Sequence, residues 1–201
     1  MTTVGLTGSI ATGKSEVAKL LSNAGIPVFD SDAAVHELYA EKKTVALIER
    51  EFPGVLANGK IDRQLLGQRI LASPEDLKKL ESLIHPLVSA KRKQFVSQCK
   101  KRECPFVVLD IPLLYETGEE KELDYVVVVS ANEEIQRKRA LARPGMTGEK
   151  LAGILARQIP DAEKRSRADF VVENSGSLEN LRREVDILRG RLEKLARKQK
   201  P

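Results

Sequence analysis

The sequence predicts an α/β protein, a five-stranded parallel sheet flanked by helices, with a helical insertion and a lid. Three observations carry this. Short apolar runs at residues 3–7, 27–29, 106–109, 125–129 and 170–172 are continuous rather than alternating, as in strands covered on both faces. Helical patterns separate them, which favours parallel pairing through crossovers. A glycine-bearing loop leads from the first run straight into a helix.

The elements follow in order. A helix over 14–23 succeeds the first strand, and the second strand ends in Asp30-Ser31-Asp32 before a helix over 33–39. More than 70 residues then separate the second and third strands, too many for a structureless crossover. Helical patterns fill the gap at 62–72, 74–83 and 86–101. Asp62 is placed to cap the first of these, and Ser73-Pro74 reads as a cap followed by a proline in the first helical position. Residues 42–103 are therefore expected to form an insertion beside the sheet's active edge, and 1–41 with 104–201 the core. The last helix carries Leu178, Leu181, Val185, Leu188, Leu192 and Leu195, a seam that either packs on the core or mediates a dimer. A monomer or weak homo-oligomer is expected, with only solvated charge beyond Leu195.

With 201 residues, 41% apolar and 31% charged, the chain can bury a core without disulfides. The longest apolar stretch, 104–109, is far short of the roughly 20 residues of a membrane span. The N-terminus lacks a basic start and apolar run, so no secretory signal is expected. Cys99 and Cys104 are then expected to be reduced, in the cytoplasm. The net charge of +5 lies within residues 182–200, where eight basic residues meet three acidic ones. The balanced body argues against a nucleic-acid partner. Two histidines, His36 and His85, are too few for a histidine-rich metal site.

Gly8-Ser9-Ile10-Ala11-Thr12-Gly13-Lys14-Ser15 matches the pattern GxxxxGK[ST] between a strand and a helix, the context of a P-loop. Its glycines let successive N–H groups face a phosphate chain, and the helix start adds partial positive charge. Lys14 is expected to reach the β- and γ-phosphates of ATP, and the Ser15 hydroxyl to ligate Mg²⁺. Asp110 closes an apolar strand, the pattern of a carboxylate that orients that ion or its water. Asp30 and Asp32 lie past the second strand, where ligands of open α/β sheets bind, yet Asp32 can equally be the cap of the next helix. Arg137, Lys138, Arg139 and Arg143 lead into Pro144-Gly145, a basic helix end entering a lid over about 137–157. Spacing does not say which arginine meets the transferring phosphoryl group. Asn174-Ser175-Gly176 either turns backbone groups toward the nucleotide base or is a bare turn. No NKxD string occurs, which argues against a guanine-nucleotide switch.

These residues describe a P-loop phosphotransferase but not its acceptor. The full set of motifs resembles the bacterial dephospho-CoA kinases: Gly5-Leu6-Thr7-Gly8 with the P-loop, Asp30-Ser31-Asp32, Ile61-Asp62-Arg63 with Leu66-Gly67, Leu80-Glu81 with Ile84-His85-Pro86, the run from Asp110 through Pro112-Leu113-Leu114 to Glu116, Gln136 with Arg139 and Arg143, and Ala168-Asp169 with Asn174 and Gly176. The resemblance implies transfer of the ATP γ-phosphate to the ribose 3′-hydroxyl of dephospho-CoA. It implies that Asp32 meets the acceptor hydroxyl and that Arg63, His85, Pro112 and Leu113 help hold the acceptor, a small molecule. Lys14, Asp32, Arg139 and Arg143 become the candidate catalytic set; Gly8–Ser15, Asn174 and Gly176 hold ATP; Ser15 and Asp110 hold Mg²⁺. Other small-metabolite or nucleoside monophosphate kinases, and a nucleotide-dependent switch, are the alternatives. Ser9 and Ala11 stand where the family usually has glycine, and His36 where it often has arginine.

Overall fold

The computed structural model describes residues 1–198 as two compact units, Met1–Phe29 with the chain from Gln98 onward, and Asp30–Ser97. In the first unit, strands β1 (Thr2–Thr7), β2 (Val28–Asp30), β5 (Phe106–Asp110), β6 (Tyr125–Ser130) and β7 (Phe170–Glu173) form one sheet in the order β2-β5-β1-β6-β7. β1 pairs in parallel with β5 and with β6, and β6 with β7. The register sets Leu6 opposite Asp110, so the loops leaving β1 and β5 emerge side by side. Four of the five strands run one residue further than the apolar runs, ending on Asp30, Asp110, Ser130 and Glu173, because ladder pairing continues past the last apolar side chain.

On one face of the sheet, Val4, Leu6, Phe106, Val108, Val127, Val129 and Val172 meet α1 (Lys14–Asn23) and α10 (Leu178–Lys198). The seam of α10 packs on this core through Leu181, Val185, Leu188 and Leu192, each buried, whereas Leu178 is 48% exposed. Burial continues past Leu195 to Ala196, which joins the cluster, so solvated charge begins one residue later than expected. Residues 199–201, the end of the basic tail, lie outside the described residues. The rest of this unit comprises α6 (Leu114–Thr117), a 3-10 turn (Glu119–Glu122), α7 (Glu133–Leu141), α8 (Gly148–Leu155) and α9 (Asp161–Arg167).

The second unit holds α2 (Ser31–Leu38), α3 (Lys42–Glu51), the hairpin β3 (Leu56–Ala57) and β4 (Lys60–Ile61), α4 (Arg63–Ala72) and most of α5 (Pro74–Lys101). It takes in α2, outside the expected 42–103, because Val35 and Tyr39 pack with the core of Ile48, Phe52, Val55, Leu66, Leu80 and Ile84. The expected caps form: the Asp62 carboxylate accepts from the N–H groups of Gln64 (2.8 Å) and Leu65 (3.1 Å), and Ser73 Oγ from that of Asp76 (3.1 Å). The two helices expected at 74–83 and 86–101 are one continuous α5 with Pro86 inside it. Pro86 deprives the Ser82 carbonyl of its helical donor. The helix runs on because Leu80, Leu83, Ile84, Leu87 and Val88 pack into one cluster on both sides of the proline. The hairpin turns on Asn58 and Gly59, both at positive φ (51° and 72°).

Leu192 is 1% exposed in the main core. Leu192→Ala is expected to lower stability by about 3 kcal/mol, read as a reduced urea midpoint at unchanged slope.

Candidate active site

A phosphate loop must turn its N–H groups inward, so its carbonyls must point outward and find donors. Here each does. Ser9 O accepts from Thr12 Oγ1 (2.9 Å), Ile10 O from Gln136 Nε2 (2.8 Å) and Thr12 O from Asn174 Nδ2 (2.8 Å). Gln136 and Asn174 are both buried. In a planar trans peptide the N–H lies opposite the C=O. Tying down Ile10 O and Thr12 O therefore aims the N–H groups of Ala11 and Gly13 the other way, and neither has a partner among the described residues. The helix they lead into, α1, begins without a side-chain cap, so its first-turn donors are also available to an anion.

Gly13 sits at φ 99°, and a Cβ there would lie 2.0 Å from Asn174 Nδ2. A Cβ on Gly8 would lie 2.6 Å from the Val129 carbonyl oxygen. Ala11 is the exception to the glycine rule, at φ 62°. Its methyl is buried with Ile10, Ala140, Met146 and Leu151, and that contact offsets the left-handed backbone.

The Lys14 ammonium pairs with the Asp110 carboxylate, which is buried at the end of β5. Ser15 follows Lys14 in the first turn of α1. A carboxylate and a hydroxyl are hard oxygen donors, and no group of three or more His, Cys, Asp or Glu side chains suited to a metal occurs among the described residues. That set fits Mg²⁺, which takes one or two protein oxygens and fills the rest of its shell with phosphate and water.

Arg139 and Arg143 have different surroundings. Arg139 Nη1 donates to the Asn174 carbonyl at 2.8 Å and lies next to Gly13, whereas Arg143 is exposed. Asn174, expected to hold the nucleotide, has its N–H on Ser130 O (2.8 Å), its amide on Thr12 and its carbonyl on Arg139; in this structure it braces the loop. Gly176 lies in the exposed turn after it, against Asn180. Past β5, the Pro112 carbonyl accepts from Thr7 Oγ1 (3.1 Å), and Leu113 is 41% exposed.

In the second unit the cap of α2 is Asp30, whose Oδ1 accepts from Ala33 N–H at 2.9 Å. Asp32 is not the cap: it is exposed in the first turn of α2, with no side-chain partner among the described residues. A cavity of about 760 Å³ is lined by His36, Tyr39, Lys42, Arg50, Lys60 and Arg63, with Glu49 and apolar walls from α3 and the hairpin. Arg63 Nη1 lies 3.2 Å from His36 Nδ1. Burial pushes the Tyr39 phenol above its ordinary range, against the opposing pull of the Arg63 guanidinium. His85 is exposed on α5 and does not line this cavity. Tyr39, Lys42 and Lys60 were not singled out by the sequence, because none of them belongs to a motif spacing or a periodic pattern.

The model of the dephospho-CoA kinase family matches residues 2–180. A dephospho-CoA kinase of Bradyrhizobium diazoefficiens is 52% identical over 185 residues, 92% of each chain. Among solved structures, a Thermus thermophilus protein superposes with a TM-score of 0.80 at 38% identity, covering 95% of this chain and 97% of its own. A dephospho-CoA kinase from Campylobacter jejuni superposes with a TM-score of 0.72 at 28% identity, covering 96% and 97%.

Gly13→Ala is expected to drive the new methyl into the Asn174 amide and lower turnover by about 10²-fold, with loss of thermal stabilisation by ATP. Ala11→Gly relieves the backbone but gives up a buried methyl, so its stability is expected to stay within about 1 kcal/mol of the parent by chemical denaturation.

Proposed function

The chain belongs to the dephospho-CoA kinase family, and on that premise we propose how its own residues transfer the ATP γ-phosphate to the ribose 3′-hydroxyl of dephospho-CoA. The observation that carries the assignment of roles is the phosphate loop itself: inward N–H groups, an uncapped helix start and Lys14 paired with Asp110. The N–H groups of Ala11 and Gly13 and the first turn of α1 cradle the phosphates. Lys14 exchanges its carboxylate for the β- and γ-phosphates. Ser15 and Asp110 are the residues that would hold Mg²⁺, which supplies charge neutralisation on the phosphates. Arg139, already beside the loop, neutralises charge on the transferring phosphoryl group. Arg143 is exposed just past the end of α7, inside the 137–157 segment, the proposed lid.

Asp32 receives the acceptor hydroxyl. Its carboxylate is not spent on capping, a task done by Asp30. The cavity of the second unit holds the rest of the acceptor. Lys42, Arg50, Lys60 and Arg63 outnumber Glu49 there and suit its diphosphate, while the apolar walls suit its aliphatic arm. The Tyr39 phenol adds a hydroxyl donor to the same wall. Pro112 and Leu113 are assigned to the acceptor, and His85 to its outer part. A cytoplasmic location without a nucleic-acid partner accords with the free thiols of Cys99 and Cys104 and with the balanced charge of the body. Among the described residues no helix is long and apolar enough to cross a membrane.

ADP release measured over a panel of acceptors tests the reaction. Dephospho-CoA is expected to stimulate it far above the water background, and AMP, UMP and shikimate are not; equal turnover of AMP would overturn the acceptor. Asp32→Asn is expected to lower kcat by roughly 10²- to 10⁴-fold. KM for ATP should hold within a few-fold and the melting temperature should fall by no more than a few degrees, since only the charge at the helix start is lost and the cap stays in place. A stable variant with parental kcat would remove Asp32 from the mechanism.

A further inference from the structure

Two glutamines bracket the 137–157 segment, one just before it and one just after, and both bond the same residue of the phosphate loop. Gln136 Nε2 donates to the carbonyl of Ile10 at 2.8 Å, and Gln158 Oε1 accepts the N–H of Ile10 at 3.1 Å. Between these two points the segment packs on the loop through Ala140, Met146 and Leu151 against Ile10 and Ala11. Gln158 is held from behind. The N–H of the next residue, Ile159, donates to Glu116 Oε1 at 2.9 Å, and the same oxygen pairs with the fully buried Lys164 Nζ at 2.8 Å. An ion pair this buried is costly to break, so it makes a stiff anchor for the backbone beside Gln158.

We propose that Gln136 and Gln158 are positioning residues that pin both ends of the 137–157 segment to Ile10, with Glu116 and Lys164 as the strut beneath the second pin. The two ends of the segment then stay fixed to the phosphate loop, and Arg139, one turn past Gln136, keeps a fixed register to the phosphates. The arrangement rests on ATP being held by the phosphate loop. Neither glutamine touches the nucleotide; each acts through the Ile10 peptide groups.

The two bonds run in opposite directions, and that separates positioning from mere packing or charge. A glutamate at 158 still accepts the N–H, whereas an ionised glutamate at 136 faces a carbonyl and cannot donate. Each variant adds the same single negative charge. In steady-state kinetics at pH 8, Gln136→Glu and Gln158→Met are expected to lower kcat/KM for ATP about tenfold or more. Gln158→Glu is expected to recover most of the loss seen in Gln158→Met, and KM for dephospho-CoA to stay within about twofold in all three. Gln136→Met, which removes the donor without adding charge, should match Gln136→Glu. The proposal is overturned if Gln158→Glu is as impaired as Gln158→Met, if the variants at 136 keep parental kcat/KM, or if KM for dephospho-CoA rises in step with that for ATP. Parental enzyme run alongside with dephospho-CoA reads the acceptor assignment separately, so failure of the two pins leaves that reading standing.

Discussion

The constraint on which the rest of the site depends is the outward orientation of three carbonyls. A loop that offers N–H groups to an anion must bury the opposite edge of the same peptides, and an unsatisfied buried carbonyl costs about 1–3 kcal/mol. The chain meets this with one hydroxyl from inside the loop and two amides from elsewhere, Thr12, Gln136 and Asn174. Amides suit the task because they donate without carrying charge into a site that must receive a polyanion. The clash that any Cβ on Gly13 would make with Asn174 follows from the same demand, since the brace must come close to bond Thr12 O.

Charge is handled by pairing groups whose partners can change. Lys14, at the start of α1, pairs with Asp110 at the end of β5, and the register of β1 against β5 brings the phosphate loop alongside that carboxylate. Lys164 and Glu116, by contrast, form a pair closed to solvent on the lysine side, which is structural. Beside it Arg167 lies over the Tyr115 ring at 4.3 Å and pairs with Glu120 at 2.8 Å, so the return from the 137–157 segment into α9 is tied at several points. The first pair is positioned to exchange partners with a ligand, and the second is positioned to resist doing so.

Much of the first unit was legible from sequence because its signals are physical and local. Continuous apolar runs gave the strands, GxxxxGKS with its flanking strand and helix gave the loop, and the α10 seam gave its packing face. Strand ends were not legible, since ladder pairing carries them onto polar residues. Pro86 read as a helix start, because local rules see the missing N–H but not the cluster that holds α5 on both sides of it. The Asn58-Gly59 turn was present as a signal, but its two-residue strands fall below any periodicity. Within the site, Lys14, Ser15 and Asp110 carry motif spacing. Gln158, Glu116 and Lys164 act only through partners far away in the chain, and no spacing reveals them as a set.

The two carboxylates after β2 show how local geometry divides labour between like residues. A helix N-cap is a single position with non-helical backbone, and only its side chain reaches back to the donors of the first turn. Asp30, at φ −98° and ψ 111°, has that backbone and makes the bond to Ala33. Asp32, two residues on, is already inside the helix and has no access to the same donors. It still gains from the helix start, where a negative charge is favourable by a few tenths of a kcal/mol to about 1 kcal/mol. A carboxylate in that place is stabilised without being occupied, which is what an acceptor-orienting group requires: fixed in position by its backbone, with both oxygens available. In a loose phosphoryl-transfer transition state, where little proton transfer is needed at the peak, orientation of the hydroxyl is the larger part of that task.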